Sequence, residues 1–339
     1  METIVLSTND EDLLIASRLL RNGHVVGIPT ETVYGLGADA TNPEAVKKIF
    51  QAKGRPADNP LIVHIANVQE VYSIAHDIPK LFFTLADRFW PGPLTMIVPK
   101  NDTIPYETSG GLETVGIRMP SHPVARKLIE LSKVPISAPS ANTSGYPSPT
   151  TAYHVLHDMN GKVSAIVDGG ACSVGVESTV ISFDDEDTIR ILRPGYVTKE
   201  DFLTVTPNVI LDKGILNQID ANQRVASPGM KYKHYSPTAD VIIIDSSLEK
   251  FVEYVTEHSS NDTYALMFEH EVSSNYPFKC LSYGDTDVEQ AQLLFARLRE
   301  LDTLNAGTVY VRKPNVDGVG LAVYNRLIRS AGFEVIKLD

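Results

Sequence analysis

The sequence predicts an α/β protein: a large twisted sheet of mixed strand direction with helices, followed by a smaller, open, Rossmann-like α/β unit. Three observations predict it. Short apolar runs of strand length alternate with amphipathic stretches from the N-terminus onward. A basic, aromatic stretch broken by prolines and a glycine, SPGMKYKHYSP (227–237), interrupts that pattern. After Ala239 a second, more regular strand–helix rhythm begins. The 339 residues suit two domains of ordinary size, which we place at 1–205 and 239–339 with a linker at 206–238.

Taken in order, IVLS near residue 4 and VVGIP near residue 25 read as strands. Between them, EDLLIASRLLRNG has apolar residues at helical spacing, with Asp10 at the N-cap position and Gly23 as the stop. PEAVKKIFQAKG opens on Pro43 and ends on Gly54, the residue types expected at the two ends of a helix. PLIVHIA, LTMIVP, VGIRMP, ISAPS, SAIVDGG, STVISFD and TIRILRP are strand-like, while KLFFTLADRFW, PVARKLIELSK and TAYHVLHDMNG are helical. In the last third, the strands ADVIIID, TYALMF, FKCLSY, TVYVRKP and EVIKL alternate with the helices SLEKFVEYVTEH, VEQAQLLFARLREL and LAVYNRLIRSAG.

Composition narrows the function. Apolar residues make up 43% and charged residues 21%, which excludes a disordered or low-complexity chain. The net charge is −12 and neither half is basic, so tight, sequence-independent nucleic-acid binding is not expected. Two cysteines, Cys172 and Cys280, form no CxxC pair and predict neither a disulfide framework nor a cysteine zinc site. No apolar run spans a membrane and no signal peptide is evident, so a cytoplasmic protein is expected.

Three clusters carry the chemistry. PTETVYGL (29–36) leaves a strand with Thr30, Glu31, Thr32 and Tyr34 beside glycines that let backbone pass close to a ligand. KGRPADNPLIVH (53–64) sets Lys53 and Arg55 in a loop after a helix, followed by Asn59 and His64. A point-charge ammonium beside a planar guanidinium suits a polyphosphate. SAPSANTSG (137–145) crowds hydroxyl and amide groups into a turn whose N–H groups can form an anion nest. Arg118, Ser178, Thr179 and Arg193 stand at strand ends, and with Lys53 and Arg55 the arginines could neutralise a triphosphate. GLGADA (35–40) fits a dinucleotide fingerprint only loosely, because TETVY separates it from the strand before it. His154 and His157 are read as ordinary half-buried or solvated histidines rather than a metal pair.

With these motifs laid out, the chain closely resembles the L-threonylcarbamoyl-AMP synthase family, in the long form that joins a YrdC-like domain to a C-terminal domain. PTETVYGLGADA, KGRPADNPLIVH, SAPSANTSG, GVESTV, LRPG and SPGMKYKHYSP carry the resemblance in order, with Lys233 where an arginine is usual. The resemblance implies condensation of L-threonine, bicarbonate and ATP into threonylcarbamoyl-AMP and pyrophosphate. A separate transferase complex would then modify adenosine in tRNA. It implies Mg²⁺ with the ATP and no protein metal site. It also implies threonine contacts from Thr32, His64, Arg118, the Ala138 backbone and Ser178. ATP contacts are implied for Lys53, Arg55, Asn59, Thr114, Ser140, Asn142, Ser148 and Arg193, with Tyr235 of the linker closing over the nucleotide. Lys53 and Arg55 are the expected catalytic cations. A lid fits the chemistry, since carbamates and acyl-adenylates hydrolyse readily.

Two rival readings come from other classes. A double-stranded RNA-binding module conflicts with the net charge of −12. A carbamoyl transferase of hydrogenase maturation would need zinc fingers that two cysteines cannot build. The C-terminal unit shows no polar cluster of its own. Arg312, Lys313, Asn315, Asp317, Asn325 and Arg326 are read there as an ordinary solvated face.

Overall fold

The computed structural model describes residues 2–57, 59–217 and 235–338. They form two compact units, the second of which also takes Gly145–Pro147.

The first unit runs β1 (Ile4–Leu6), α1 (Asp10–Arg21), β2 (Val26–Ile28), β3 (Gly35–Asp39), α2 (Pro43–Lys53), β4 (Ile62–His64), α3 (Lys80–Phe89), β5 (Leu94–Pro99), α4 (Tyr106–Ser109), β6 (Thr114–Arg118), α5 (Pro123–Ser132), β7 (Ile136–Ser137), α6 (Ala152–Met159), β8 (Ala165–Val167), β9 (Thr179–Phe183), β10 (Thr188–Arg193), α7 (Lys199–Leu203) and β11 (Asn208–Leu211). Its eleven strands join in the order β1-β8-β2-β3-β7-β4-β6-β5-β9-β10-β11, with parallel and antiparallel pairs mixed, as expected. The apolar faces of α1 and α5 close over one core with Leu13, Leu20, Ile28, Leu128 and Ile136. On the other side α2 and α6 cover Leu36, Val46, Ile49, Val155 and Ile166.

Local chemistry explains the helix ends. Asn9, one residue before the expected Asp10, caps α1 by accepting from the Asp12 N–H. Asn42 caps α2 ahead of Pro43, and Gly54 ends it with φ +63°, a left-handed conformation suited to glycine.

GLGAD, only a loose match to a dinucleotide fingerprint, is β3 itself, paired with β2 and β7. One expectation meets a difference here. Residues 208–211, placed in the linker, pair in parallel with β10 as the edge strand β11. Most of the basic, aromatic stretch, residues 227–234, lies outside the described residues.

The second unit runs β12 (Asp240–Asp245), α8 (Leu248–His258), β13 (Thr263–Met267), β14 (Lys279–Ser282), α9 (Asp287–Thr303), β15 (Thr308–Arg312), α10 (Gly318–Ser330) and β16 (Val335–Lys337). Its five strands, ordered β14-β13-β15-β12-β16, are all parallel. Phe251 and Val255 of α8 pack with Ile244, Ala265 and Met267, while α9 and α10 pack on each other.

The solvated face expected at its end is solvated only in part: Asn315 and Asp317 are exposed and Arg312 and Lys313 half-buried, but the two residues on α10 are not. Asn325 and Arg326 are 3% and 0% exposed, and Arg326 donates to the Ala322 carbonyl and to Asn325 Oδ1. Arg312 makes a two-pronged pair with Glu271, both bonds at 2.8 Å, and a third bond to the Ser246 carbonyl. Asn325 and Arg326 lie on the inward side of α10 and Arg312 ends β15, and both arginines find acceptors in the interior.

Candidate functional site

The loop after β2 turns on its own hydroxyls. Thr30 Oγ1 donates to the Val33 carbonyl at 2.6 Å and lies 2.9 Å from Thr32 Oγ1. These bonds let a polar T-E-T run enter a dry interior. Thr32 then accepts from Arg118 Nη1 at 2.9 Å. Arg118, at the end of β6, is 4% exposed, and its Nη2 stands 2.6 Å from Glu31 Oε1. The approach is oblique, and neither Glu31 oxygen completes a hydrogen bond of good geometry. Burial is the largest influence and would raise the Glu31 carboxyl, but the charge and contact of Arg118, helped by the backbone N–H groups of Glu31 and Ser121, together hold the group below its ordinary value.

His64 ends β4 directly beside Arg118 in the parallel register of β4 and β6. It is 2% exposed and its Nδ1 has no partner. Burial pushes it down to about 3, with Arg118 adding to the effect and Glu31 opposing it, so the ring is neutral at neutral pH. Cys172 is electrostatically coupled to the same centre. Burial pushes its thiol up to about 12, which makes it a packed hydrophobe rather than a nucleophile.

Arg118 lies across from Thr95 of β5, one step along from the Met96–Ile117 pair. Thr95 Oγ1 meets Ser178 Oγ at 2.8 Å. Arg193 donates to the Ser178 carbonyl through Nε and Nη2 at 3.1 and 3.0 Å, and to its hydroxyl at 3.2 Å. A register shift between Ile191 and Arg193 aims this arginine. Gly195 follows, and a Cβ there would stand 2.3 Å from the Thr179 nitrogen, so only glycine lets the turn lie this close. Next to Ser178, Glu177 accepts from the Ser148 hydroxyl at 2.5 Å.

A further polar neighbourhood forms at the end of α2. Lys53 is 2% exposed, and its ammonium holds the carbonyls of Ser140 and of Asn142, the latter at 2.8 Å. The 139–141 backbone pairs with 34–36 through the Leu36 to Pro139 and Ala141 to Tyr34 bonds and the Gly35–Ser140 bridge. The Ala138 nitrogen bonds the Ile62 carbonyl.

The structure thus joins Thr32, His64 and Arg118 in one centre, Ser178 with Arg193, Ser148 with Glu177, and Lys53 with Ser140 and Asn142. Arg55 and Asn59 are half-buried in the loop beyond α2, beside residue 58, which is outside the described residues. Thr114 starts the strand that Arg118 ends, about 13 Å away at the rise of a strand. Tyr235 belongs to the second unit, where it is buried and packed at a tilt of 33° against Phe295 with ring centroids 5.2 Å apart. Among the described residues no group of three His, Cys, Asp or Glu side chains could hold a metal, and no helix is long and apolar enough to cross a membrane. His154 Nδ1 accepts from the Thr150 nitrogen and His157 Nδ1 meets Asp158.

Sequence reading missed the pairing of Glu31 with Arg118 and the Thr95 and Glu177 supports. The signal was a carboxylate between two threonines at the exit of an apolar strand. A buried arginine beside a neutral histidine offers chemistry suited to a carboxylate. The clustered cations and small hydroxyls suit phosphate.

Comparison with known proteins agrees with this chemistry. The family model described as "Telomere recombination" matches residues 18–195, and the model "Threonylcarbamoyl-AMP synthase, C-terminal domain" matches residues 197–332. The threonylcarbamoyl-AMP synthase of Bacillus subtilis (strain 168) is 45% identical over 98% of this chain and 96% of its own. That of Pyrococcus abyssi is 41% identical over 99% of this chain and all of its own. The crystal structure of P. abyssi Sua5 complexed with L-threonine superposes with a TM-score of 0.92 at 40% identity, covering 99% of this chain and 100% of the other. On this evidence, spanning both units, the chain belongs to the threonylcarbamoyl-AMP synthase family.

Proposed function

We propose that this chain condenses L-threonine, bicarbonate and ATP into threonylcarbamoyl-AMP and pyrophosphate. The observation that carries the reading is the buried Arg118–Thr32 centre beside neutral His64, found in a chain that matches this family along nearly its whole length. The threonine carboxylate goes to Arg118, and its hydroxyl to the unpartnered His64 Nδ1, with Thr32, Ser178 and the Ala138 backbone around it. Lys53, Arg55, Asn59, Thr114, Ser140, Asn142, Ser148 and Arg193 take the nucleotide, and Tyr235 closes over it.

The chemistry then needs little beyond positioning. The amine joins bicarbonate to give a carbamate and water. A carbamate oxygen attacks the α-phosphorus as the bond to pyrophosphate breaks, and fixed cations stabilise the charge on the phosphoryl oxygens. No covalent enzyme intermediate is required. Among the described residues no group of three His, Cys, Asp or Glu side chains could hold a metal, so Mg²⁺ would be held by the oxygens of the triphosphate and would offset their charge. Of the linker at 206–238, the part that follows β11 serves as the lid, and the product passes to a transferase complex that modifies tRNA. A reaction that consumes ATP is placed in the cytoplasm.

The test is pyrophosphate release. It requires all three substrates, and omitting threonine abolishes most of it; threonine-independent release would reject the reading. Lys53→Ala and Arg55→Ala each remove most turnover. The half-buried Arg55→Ala variant keeps its melting temperature, while Lys53→Ala also loosens the 140–142 turn that its ammonium holds.

A further inference from the structure

Glu31 has no part in the reaction as written, yet it is the closest charge to Arg118. It is 5% exposed, and neither of its oxygens has a well-formed hydrogen bond. Arg118 meanwhile has Nη1 on Thr32 at 2.9 Å, Nε on the Gly92 carbonyl at a long 3.4 Å, and Nη2 set obliquely against Glu31. Both partners of a buried pair are therefore left under-satisfied, an arrangement that costs stability unless a ligand completes it.

We infer that Glu31 is the specificity-determining partner of Arg118: it holds the guanidinium until a substrate carboxylate arrives, and then receives the α-ammonium of that substrate. This rests on the reading of the hollow as the threonine site, and deepens it.

Charge balance carries the inference. Arg118 contributes one positive charge and Glu31 one negative, while His64 is neutral. His122 and Cys172, also coupled to Glu31, are shifted by burial toward their neutral forms. The hollow is thus balanced before any ligand enters. A zwitterionic amino acid keeps it balanced: its carboxylate takes Arg118, and its ammonium, with three donors, satisfies the Glu31 oxygens. A hydroxy acid of the same shape brings a carboxylate alone and leaves one buried negative charge unpaired. Glu31 thereby makes the site demand an amine, the group that must become the carbamate nitrogen.

Calorimetric titration of the full chain tests this, using L-threonine and its hydroxy-acid counterpart, (2S,3R)-2,3-dihydroxybutanoate. The wild type should prefer threonine by at least a hundredfold. Glu31→Gln should collapse that preference at least tenfold, by weakening threonine and not the hydroxy acid. Glu31→Asp, which keeps the charge, should retain the preference. Comparable wild-type affinity for both ligands overturns the inference, even where Glu31→Gln does not fold. So does an equal loss of both ligands in a folded Glu31→Gln, which would mark Glu31 as a strut for Arg118 only. If the wild type binds no threonine, the underlying reading of the site falls and takes this inference with it. If threonine binds without the amine preference, the inference alone falls.

Discussion

In the unfolded chain His64 takes up a proton near pH 6.5, whereas in the folded protein it does so only near 3. Between those values the unfolded state holds the extra proton, so stability falls as the pH falls. From pH 7.5 to 5.0 this one ring should remove about 2 kcal/mol, at 1.36 kcal/mol per pH unit below the unfolded value. Glu31 acts with the same sign at lower pH: its folded value is depressed, so its contribution is present above the unfolded value and lost as pH drops through the folded one. Urea midpoints at the two pH values check this. The wild type should weaken on acidification, and His64→Gln should show a visibly shallower dependence. The sequence offered these residues one by one but not how they pair. Thr32 and Arg118 lie 86 positions apart, and only the β4–β6 register brings His64 beside that arginine. An ion pair between distant positions leaves no periodicity to read, which is why Glu31 passed for one more polar residue in a turn.

At the scale of the element, residues with strong local preferences were legible, and those set by neighbours were not. Asn42, Pro43 and Gly54 announce α2 because caps act through adjacent backbone groups. Asn42→Ala should cost about 1 kcal/mol in chemical denaturation while leaving pyrophosphate release intact. The glycine-rich β3 reads poorly, since glycine has no side chain to advertise a strand and its place depends on β2 and β7. The edge strand β11 hid for another reason: it is half exposed, so its alternation is weak. The turn after β10 depends on contact rather than propensity. Gly195→Ala pushes a methyl into the Thr179 backbone and should displace Arg193 from Ser178. We expect a loss of roughly 1–3 kcal/mol together with weaker nucleotide binding by calorimetry, whereas unchanged binding would detach Arg193 from that role.

Over the whole chain, charge and patterning gave the correct class because they are sums: a net charge of −12 and two strand–helix rhythms do not depend on register. The interior of the second unit was misread because polar residues there are buried in pairs. Glu271→Ala would strand the Arg312 guanidinium in the interior and should cost about 3–5 kcal/mol. The sole tryptophan, Trp90, is buried in the first unit, so its fluorescence follows that unit. Far-UV circular dichroism, which samples both units, should register the Glu271→Ala loss more strongly than Trp90 does.

Among the described residues the eleven-stranded sheet stops at β1 and β11, where Ile4, Val5, Ile210 and Leu211 remain exposed. Each rim offers unpaired amides beside bare aliphatic side chains, and no Lys, Arg, Asp, Glu or Pro stands within either strand to discourage a stranger from docking. When stored preparations cloud, the growth should start from these two borders, and a lysine at Val5 or Ile210 should keep the solution clear without touching turnover.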